Sequence, residues 1–374
     1  MYRQIQAQLT NLLKNKKSPI ILILGMRQVG KTTLATNIAN GFEFVRFNFD
    51  LVSDRDEFNN QSRHDLGLFA EKYKDKIIII DEIQKSPEAT SVVKHLYDNF
   101  GMKFILTGSS EVKIRKNLGD SLVGRIHEVR LYPLSLKEIN TQNNLKWDVG
   151  SEFSNFEENQ QNLLKVLTFG SLPNLLNIEA SSYETYLKDY TNTIISKDVL
   201  EIAGTRKSTQ IFQLAKLLAL QIGQLVNFNE LAMSTELSRI SVYKYIDIFE
   251  QMGIIVRAKP ISTNEREAIS KATKIYFTDL GVRNALLNNF NSFNERLDKG
   301  QLLENAVFVG IKRSDDYNNI NSSLGFFRSS TNKEIDIVRK VNGTEDLYEV
   351  KVRDINKKKN VKVITLQTAQ KYLY

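Results

Sequence analysis

The sequence predicts an α/β fold: a parallel sheet built around a glycine-rich loop, then a helical module, then an α+β domain. Three observations carry this. The apolar run Ile20–Leu24 leads into Gly25-Met26-Arg27-Gln28-Val29-Gly30-Lys31-Thr32-Thr33, and Leu34-Ala35-Thr36-Asn37-Ile38-Ala39 follows, which reads strand, loop, helix. Four consecutive isoleucines, Ile77–Ile80, end in Asp81-Glu82. A strand apolar on both faces belongs inside a parallel sheet. Beyond residue 208 the pattern changes to helix, turn, helix, and then to short strands.

At 374 residues the chain is too long for one ordinary core, so two or three domains are expected. A hydrophobic content of 41% with 25% charged residues is that of a globular protein. No stretch approaches the ~18 consecutive apolar residues of a membrane span, so no membrane partner is expected. The first residues, MYRQIQAQLTNLLKNKK, are amphipathic and lack the apolar core and cleavage site of a secretory leader. The absence of cysteine excludes disulfides and thiolate metal sites and fits a cytoplasmic protein. His64, His95 and His127 are scattered and form no metal motif. The net charge of +8 permits contact with nucleic acid without requiring it.

The loop carries the first chemistry. Gly25, Gly30, Lys31 and Thr32 satisfy G-x-x-x-x-G-K-[ST]. In that pattern the loop backbone, from Gly25 through Gln28, Val29, Gly30 and on to Thr33, turns its N–H groups toward phosphate oxygens. Lys31 reaches the β and γ phosphates, and the Thr32 hydroxyl binds Mg²⁺. The helix starting near Lys31 aims its N-terminus at the same anion. An acid at the carboxyl end of the isoleucine strand falls in the ligand crevice of such a sheet. There Asp81 can hold Mg²⁺ through water and Glu82 can orient the attacking water. A further strand, Phe104-Ile105-Leu106-Thr107, runs into Gly108-Ser109-Ser110, where Ser109 is the candidate γ-phosphate sensor. Arg125, in Leu122-Val123-Gly124-Arg125, is either a transition-state arginine, in its own subunit or a neighbour's site, or an ordinary surface residue.

Taken together, RQVGKTT, IIIIDEIQKSPE, LTGSSE, LVGR and YPLSLKEI resemble the bacterial and archaeal P-loop ATPases of the AAA superfamily that carry a C-terminal domain of unknown function. The resemblance implies a P-loop NTPase sheet that binds ATP and Mg²⁺, with hydrolysis carried by Lys31, Thr32, Asp81 and Glu82. ATP in preference to GTP also rests on it, together with the lack of a clear guanine-reading N/T-K-x-D string.

A segment rich in Asn, Gln and Glu, from about 140 to 161, reads as a loop or insertion, and Gly170-Ser171-Leu172-Pro173 marks another turn. Leu163–Phe169 and Tyr183–Ile202 have helical spacing, with Asp189, Lys197, Asp198 and Glu201 as a solvated face. Residues 208 to 256 follow the winged-helix order: an apolar helix ending near Gly223, Asn229–Ala232, a break, a helix from Ser238 to Met252, then Ile254–Arg257 as a strand. Such a module presents Arg239, Ser241, Tyr243 and Lys244 to a DNA major groove, or packs on protein instead.

In the last third, Lys274–Gly281 reads as strand and turn, Val282–Phe290 as a helix, and Gly300–Val307 as a helix bearing Glu304. Two strands follow, Gly325–Arg328 and Glu334–Val338, and then Leu347–Val352. Glu349 and Lys351 are two apart on a strand and so share a face. With Asp336 on a neighbouring strand and Glu304 on the helix, three acids and a lysine can converge to hold Mg²⁺ and activate water against a phosphodiester. The order resembles the PD-(D/E)xK nuclease fold. The resemblance implies metal ligation by Asp336 and Glu349, assistance by Lys351 and support from Glu304. After the Lys357-Lys358-Lys359 turn, 361–374 supplies a helix or a strand, hardly both, so the fold is expected to be incomplete or inactive.

The expected organisation is a P-loop ATPase domain over 1–139, a linker and helical segment over 140–207, a winged-helix module over 208–262 and a nuclease-like domain over 263–374. The expected activity is Mg²⁺-dependent ATP hydrolysis that switches C-terminal modules engaging double-stranded DNA. The alternative is a nucleotide-gated switch for a protein partner, self-association included, with an inactive nuclease-like fold.

Overall fold

The structure is a computed structural model that describes residues 1–59, 63–109, 122, 124–142, 156–261, 273–329, 334–352 and 361–373, of which 63, 64 and 156 are described for the backbone alone. Ser110, Val123, Lys357–Lys359 and most of the expected insertion at 140–161 lie outside them. The chain divides into two compact units, Met1–Tyr132 and Pro133–Tyr374. Among the described residues no helix is long and apolar enough to cross a membrane.

The first unit contains α1 (Gln6–Lys14), β1 (Ile20–Leu24), α2 (Lys31–Ala39), β2 (Phe44–Asn48), α3 (Val52–Asn59), α4 (Arg63–Lys72), β3 (Ile77–Asp81), α5 (Ala89–Phe100), β4 (Lys103–Gly108) and β5 (Ile126–Arg130). The five strands pair in parallel in the order β2-β3-β4-β1-β5. Every residue of β1 and β3 is buried, as expected of strands covered on both faces. α5 turns Ala89, Val93 and Leu96 inward and stops at Gly101, whose φ of 65° is the left-handed conformation that ends helices at low steric cost. Phe47, Phe58, Phe69 and Tyr73 pack ring to ring under β2, with centroids 4.6 to 6.1 Å apart. The acid strand β3 and the loop strand β1 are not neighbours. β4 lies between them, so its carboxyl end faces both.

The second unit begins with α6 (Leu136–Gln142), α7 (Phe156–Phe169) and α8 (Tyr183–Thr193). α8 runs on through a π-helical stretch, Ile194–Val199, into Leu200–Ala203. Asp198, expected on a solvated face, is buried there. Asp189, Lys197 and Glu201 are exposed as expected; Asp198, nine residues from Asp189, falls on the opposite side of a 3.6-residue helix. Next come α9 (Ser208–Leu220), β6 (Leu225–Val226), α10 (Phe228–Thr235), α11 (Arg239–Gln251), β7 (Ile255–Pro260), β8 (Thr273–Phe277) and α12 (Leu280–Leu286). α13 (Lys299–Tyr317), β9 (Ser322–Arg328), β10 (Glu334–Val341), β11 (Thr344–Lys351) and β12 (Lys362–Thr365) complete it.

One seven-stranded sheet, β12-β11-β10-β9-β7-β8-β6, runs through this unit. β8 pairs antiparallel with β7 and β6, and the boundary expected at 262/263 lies outside the described residues. Lys274–Phe277 belongs with the strands before it, because its ladder partners lie there. The hairpin joins the later strands by a parallel pairing of β7 with β9.

Two turns singled out in the sequence meet. The buried Asp279 carboxylate caps α12 by accepting the Val282 N–H at 3.1 Å, and it also accepts the Ser171 N–H at 2.7 Å. Burial pushes this carboxyl up to about 6 against the pull of those donors. A β-carbon on Gly281 would lie 2.1 Å from the Phe169 carbonyl oxygen, so only glycine fits. Nearby, Asp298 accepts from Arg283 at 2.5 Å and from Arg296 Nε at 2.8 Å, and both guanidiniums are buried. The unit closes on its own last residues. The Leu136 N–H donates to the Leu373 carbonyl at 3.0 Å, and a β-carbon on Gly310 would fall 2.1 Å from the Tyr372 oxygen. The segment 361–374 supplies β12 and a 3₁₀ turn, Ala369–Tyr372.

Candidate nucleotide site

The loop after β1 is held open by backbone conformations that favour glycine. Gly25 has φ 150°, Gln28 φ 60° and Gly30 φ 92°. A β-carbon on Gly25 would lie 2.4 Å from the Leu131 carbonyl oxygen, so the close approach of β1 to the chain after β5 requires glycine there. Gly30 caps α2 without a side-chain acceptor. The first-turn N–H groups of α2 are therefore available to an anion. Val29 is buried beneath the loop and Thr33 faces outward.

Lys31 opens α2, is 6% exposed, and its ammonium donates to the Gly25 and Met26 carbonyls at 2.9 and 2.8 Å. Thr32 Oγ1 donates to Asp81 Oδ1 at 3.0 Å, and Thr107 Oγ1 donates to the same oxygen at 2.8 Å. Asp81 Oδ2 accepts Arg46 Nε at 2.6 Å. The carboxylate is 2% exposed, and these three donors offset its burial. Glu82 takes the left-handed conformation, φ 56°, just beyond β3. Its Oε2 accepts from Ser109 Oγ at 3.1 Å and from the Gln84 amide, which also donates to Ser109 at 3.2 Å. The middle strand thus supplies both bridges: Thr107 to Asp81 and Ser109 to Glu82.

Lys31, Thr32, Asp81, Glu82 and Ser109 therefore lie together at one end of the sheet, beside the loop. Arg125 does not. Its carbonyl accepts the Ile20 N–H at 2.9 Å, at the start of β1, and its guanidinium grips Asp98 at 2.7 and 2.9 Å. That is the opposite end of the sheet, roughly 13 Å of strand away. Of the roles expected for Arg125, action within its own subunit is not met, because β1 and β5 run parallel and it precedes β5. Arg46, Thr107 and Gln84 were missed in the sequence. An arginine inside the short strand Phe44–Asn48 was the available signal for the first; nothing local marked the others.

In the second unit, Asp336 and Glu349 lie one residue along from the paired Ile337 and Tyr348. Asp336 Oδ2 accepts the Val350 N–H at 2.8 Å, and Lys351 Nζ stands 3.6 Å away. Glu304 Oε1 takes the Lys274 ammonium at 3.1 Å and the Tyr276 hydroxyl at 2.7 Å; burial pushes its carboxyl up, Lys274 pulls it down, and the neighbouring Asp336 charge pushes it up again. Among the described residues no group of three or more acids or histidines is arranged to hold a metal ion. Of the expected set of Glu304, Asp336, Glu349 and Lys351, Lys351 stands beside Asp336, the Val350 N–H shares the Asp336 carboxylate, and Lys274 shares that of Glu304.

In the segment expected to read DNA, Ser238 caps α11 by accepting the Ser241 N–H at 3.1 Å. The Arg239 guanidinium lies over the Tyr243 ring at 5.6 Å, and that ring stacks on Phe228 at 4.1 Å. Lys244 Nζ donates to the Ala203 carbonyl at 3.0 Å.

Comparison with known proteins agrees with the geometry. Residues 17–140 match the family model of an AAA domain, and 160–292 and 299–372 match two domains of unknown function, DUF8612 and DUF4143. Two uncharacterized proteins of Methanocaldococcus jannaschii are each 27% identical. One aligns over 82% of this chain and 70% of its own length, the other over 94% and 78%. Among solved structures, the Walker-type ATPase PABY2304 of Pyrococcus abyssi is similar at 18% identity and a TM-score of 0.48, covering 76% of this chain and 95% of that one. The matched segment and the loop geometry support an AAA-type P-loop ATPase fold for the first unit.

Proposed function

We propose that this chain hydrolyses ATP with Mg²⁺ and uses the reaction to switch C-terminal modules that engage DNA. The observation that carries the first part is the convergence of Thr32 and Thr107 on one oxygen of Asp81, beside a lysine at the start of α2. A hydroxyl and a carboxylate are hard oxygen donors that suit Mg²⁺ held partly through water. When bound, Mg²⁺ neutralises and orients the phosphates. Phosphoryl transfer needs little covalent help from protein, so positioning is the task of these residues. Lys31 exchanges its two carbonyl partners for phosphate oxygens. Glu82 orients the attacking water, and Ser109 and Gln84 hold its carboxylate in place. The cysteine-free composition supports a cytoplasmic setting.

The DNA part rests on the order of α10, turn, α11 and the hairpin β7–β8, read as a winged helix, and on the basic balance of the chain. The test is steady-state ATP hydrolysis with and without double-stranded DNA, with Lys31→Ala as the blank. The expected result is hydrolysis that falls at least ~10²-fold in the variant and rises with DNA in a salt-dependent way. Full activity in Lys31→Ala refutes the site, and hydrolysis that ignores DNA at low salt refutes the DNA reading alone.

A second reading, a nucleotide-gated switch for a protein partner, is favoured by the surface of the helix pair. Ile240 at the start of α11 and Met233 on α10 are 82% and 83% exposed, while Lys244 is turned to a backbone carbonyl. Apolar exposure with little free positive charge suits protein better than phosphate.

A further inference from the structure

The acids of the C-terminal sheet surround a cation that belongs to the chain. Lys274, on β8, is 2% exposed. Its ammonium stands 2.7 Å from Glu334 Oε1 on β10 and 3.1 Å from Glu304 Oε1 on α13, with the Phe326 ring 5.2 Å away. Tyr276, two residues along β8 on the same face, donates its hydroxyl to the same Glu304 oxygen. A β-carbon on Gly223 would come within 3.2 Å of Glu304 Oε1. A buried ammonium costs several kcal/mol unless it is paired, and here two carboxylates and an aromatic face compensate it. Burial lowers the pKa of Lys274, yet the two glutamates outweigh it and hold the pKa above the ordinary lysine value.

We infer that Lys274 fills the position a divalent cation would take among these carboxylates, so the site is an ammonium-centred clasp joining β8, α13 and β10 and not a metal centre. Two positive groups cannot share that space. Glu304 Oε1 is shared by Lys274 and Tyr276, and Asp336 Oδ2 by the Val350 N–H and Lys351. The clasp also ties the hairpin to the later strands where β7 and β9 pair. It owes nothing to nucleotide, so it stands or falls apart from the ATPase reading.

The test uses the full chain without nucleotide, in an Asp81→Asn background that removes the carboxylate of the first unit. Mn²⁺ binding is followed by calorimetric titration and by the unfolding temperature. The expected result is no Mn²⁺ response at millimolar metal in this background. Adding Lys274→Ala lowers the unfolding temperature by more than roughly 5 °C, since the largely buried Glu304 and the partly exposed Glu334 lose their counter-charge. Mn²⁺ then restores part of that loss, and a further Glu304→Gln abolishes the restoration. A stoichiometric Mn²⁺ response with Lys274 intact, lost in Asp336→Asn, overturns the inference. So does a Lys274→Ala protein as stable as its parent. Should Lys274→Ala fail to fold, the titration with Lys274 intact still decides.

Discussion

Replacing Asp298 by asparagine removes one charge from a buried three-residue cluster, and its effect can be worked out with its pH dependence. Asp298 is 25% exposed, and its partners Arg283 and Arg296 are 2% and 0% exposed at the side chain. Burial pushes its carboxyl up, but Arg296 and Arg283 outweigh this and bring it down to about 2 from the ordinary 3.8. At ~1.36 kcal/mol per unit, the pairing contributes about 2 kcal/mol of stability. The folded value lies below the unfolded one, so the contribution is whole above pH ~4 and is lost as pH falls toward 2, with about 1 kcal/mol gone by pH 3. Asp279, pushed up to about 6, acts in the opposite sense in a separate window, between about 4 and 6. At neutral pH Asp298→Asn also strands two buried guanidiniums, which brings the expected loss to about 3 kcal/mol, or roughly 6–12 °C in unfolding temperature. Urea unfolding of both proteins at several pH values is the assay. The gap between them should be greatest above pH 4 and should narrow by about 1 kcal/mol at pH 3. A gap under about 1 kcal/mol, or one that does not change with pH, refutes the reasoning.

Gly25→Ala should abolish nucleotide binding while leaving the second unit folded, because the new β-carbon meets the Leu131 carbonyl at 2.4 Å; fluorescent-nucleotide titration beside far-ultraviolet dichroism separates the two. If Arg125 serves a neighbour's site, Arg125→Ala loses hydrolysis, keeps nucleotide binding and regains some activity when mixed with Lys31→Ala, because one chain keeps the arginine and the other the intact loop; full activity in Arg125→Ala alone places it outside the reaction. Thr107→Val should keep the strand, since the two side chains are nearly the same size, yet cost about tenfold or more in kcat with little change in KM if the hydroxyl positions Asp81; equal effects on both constants argue against that role.

The loop and the acid strand were legible in the sequence because both rest on short-range rules: glycine at left-handed positions, and a run of isoleucine where both sheet faces are covered. The partners of Asp81 were not. Arg46 and Thr107 reach it through strand order, with β4 set between β1 and β3, and no local pattern encodes which strands are neighbours. Lys274 was placed with the strands that follow it because its pairing with β7 spans a stretch of chain that local reading treats as a boundary. Arg125 shows the converse. The chemistry of its residue type suggested the phosphates, and the parallel course of β5 carried it to the far end of the sheet.

The way the second unit closes has a kinetic consequence. Its first helix is tied to its last described residues through Leu136 and Leu373, and the strand ladder from β6 to β12 depends on the parallel β7–β9 pairing. Such contacts are far apart in sequence, and folding slows as mean contact separation grows. During synthesis the first unit has every strand of its sheet once Arg130 has emerged. The second must wait, with unpaired strand edges, until residues beyond 370 leave the ribosome. Removing the last few residues should therefore slow or prevent its folding while leaving the nucleotide-site unit intact.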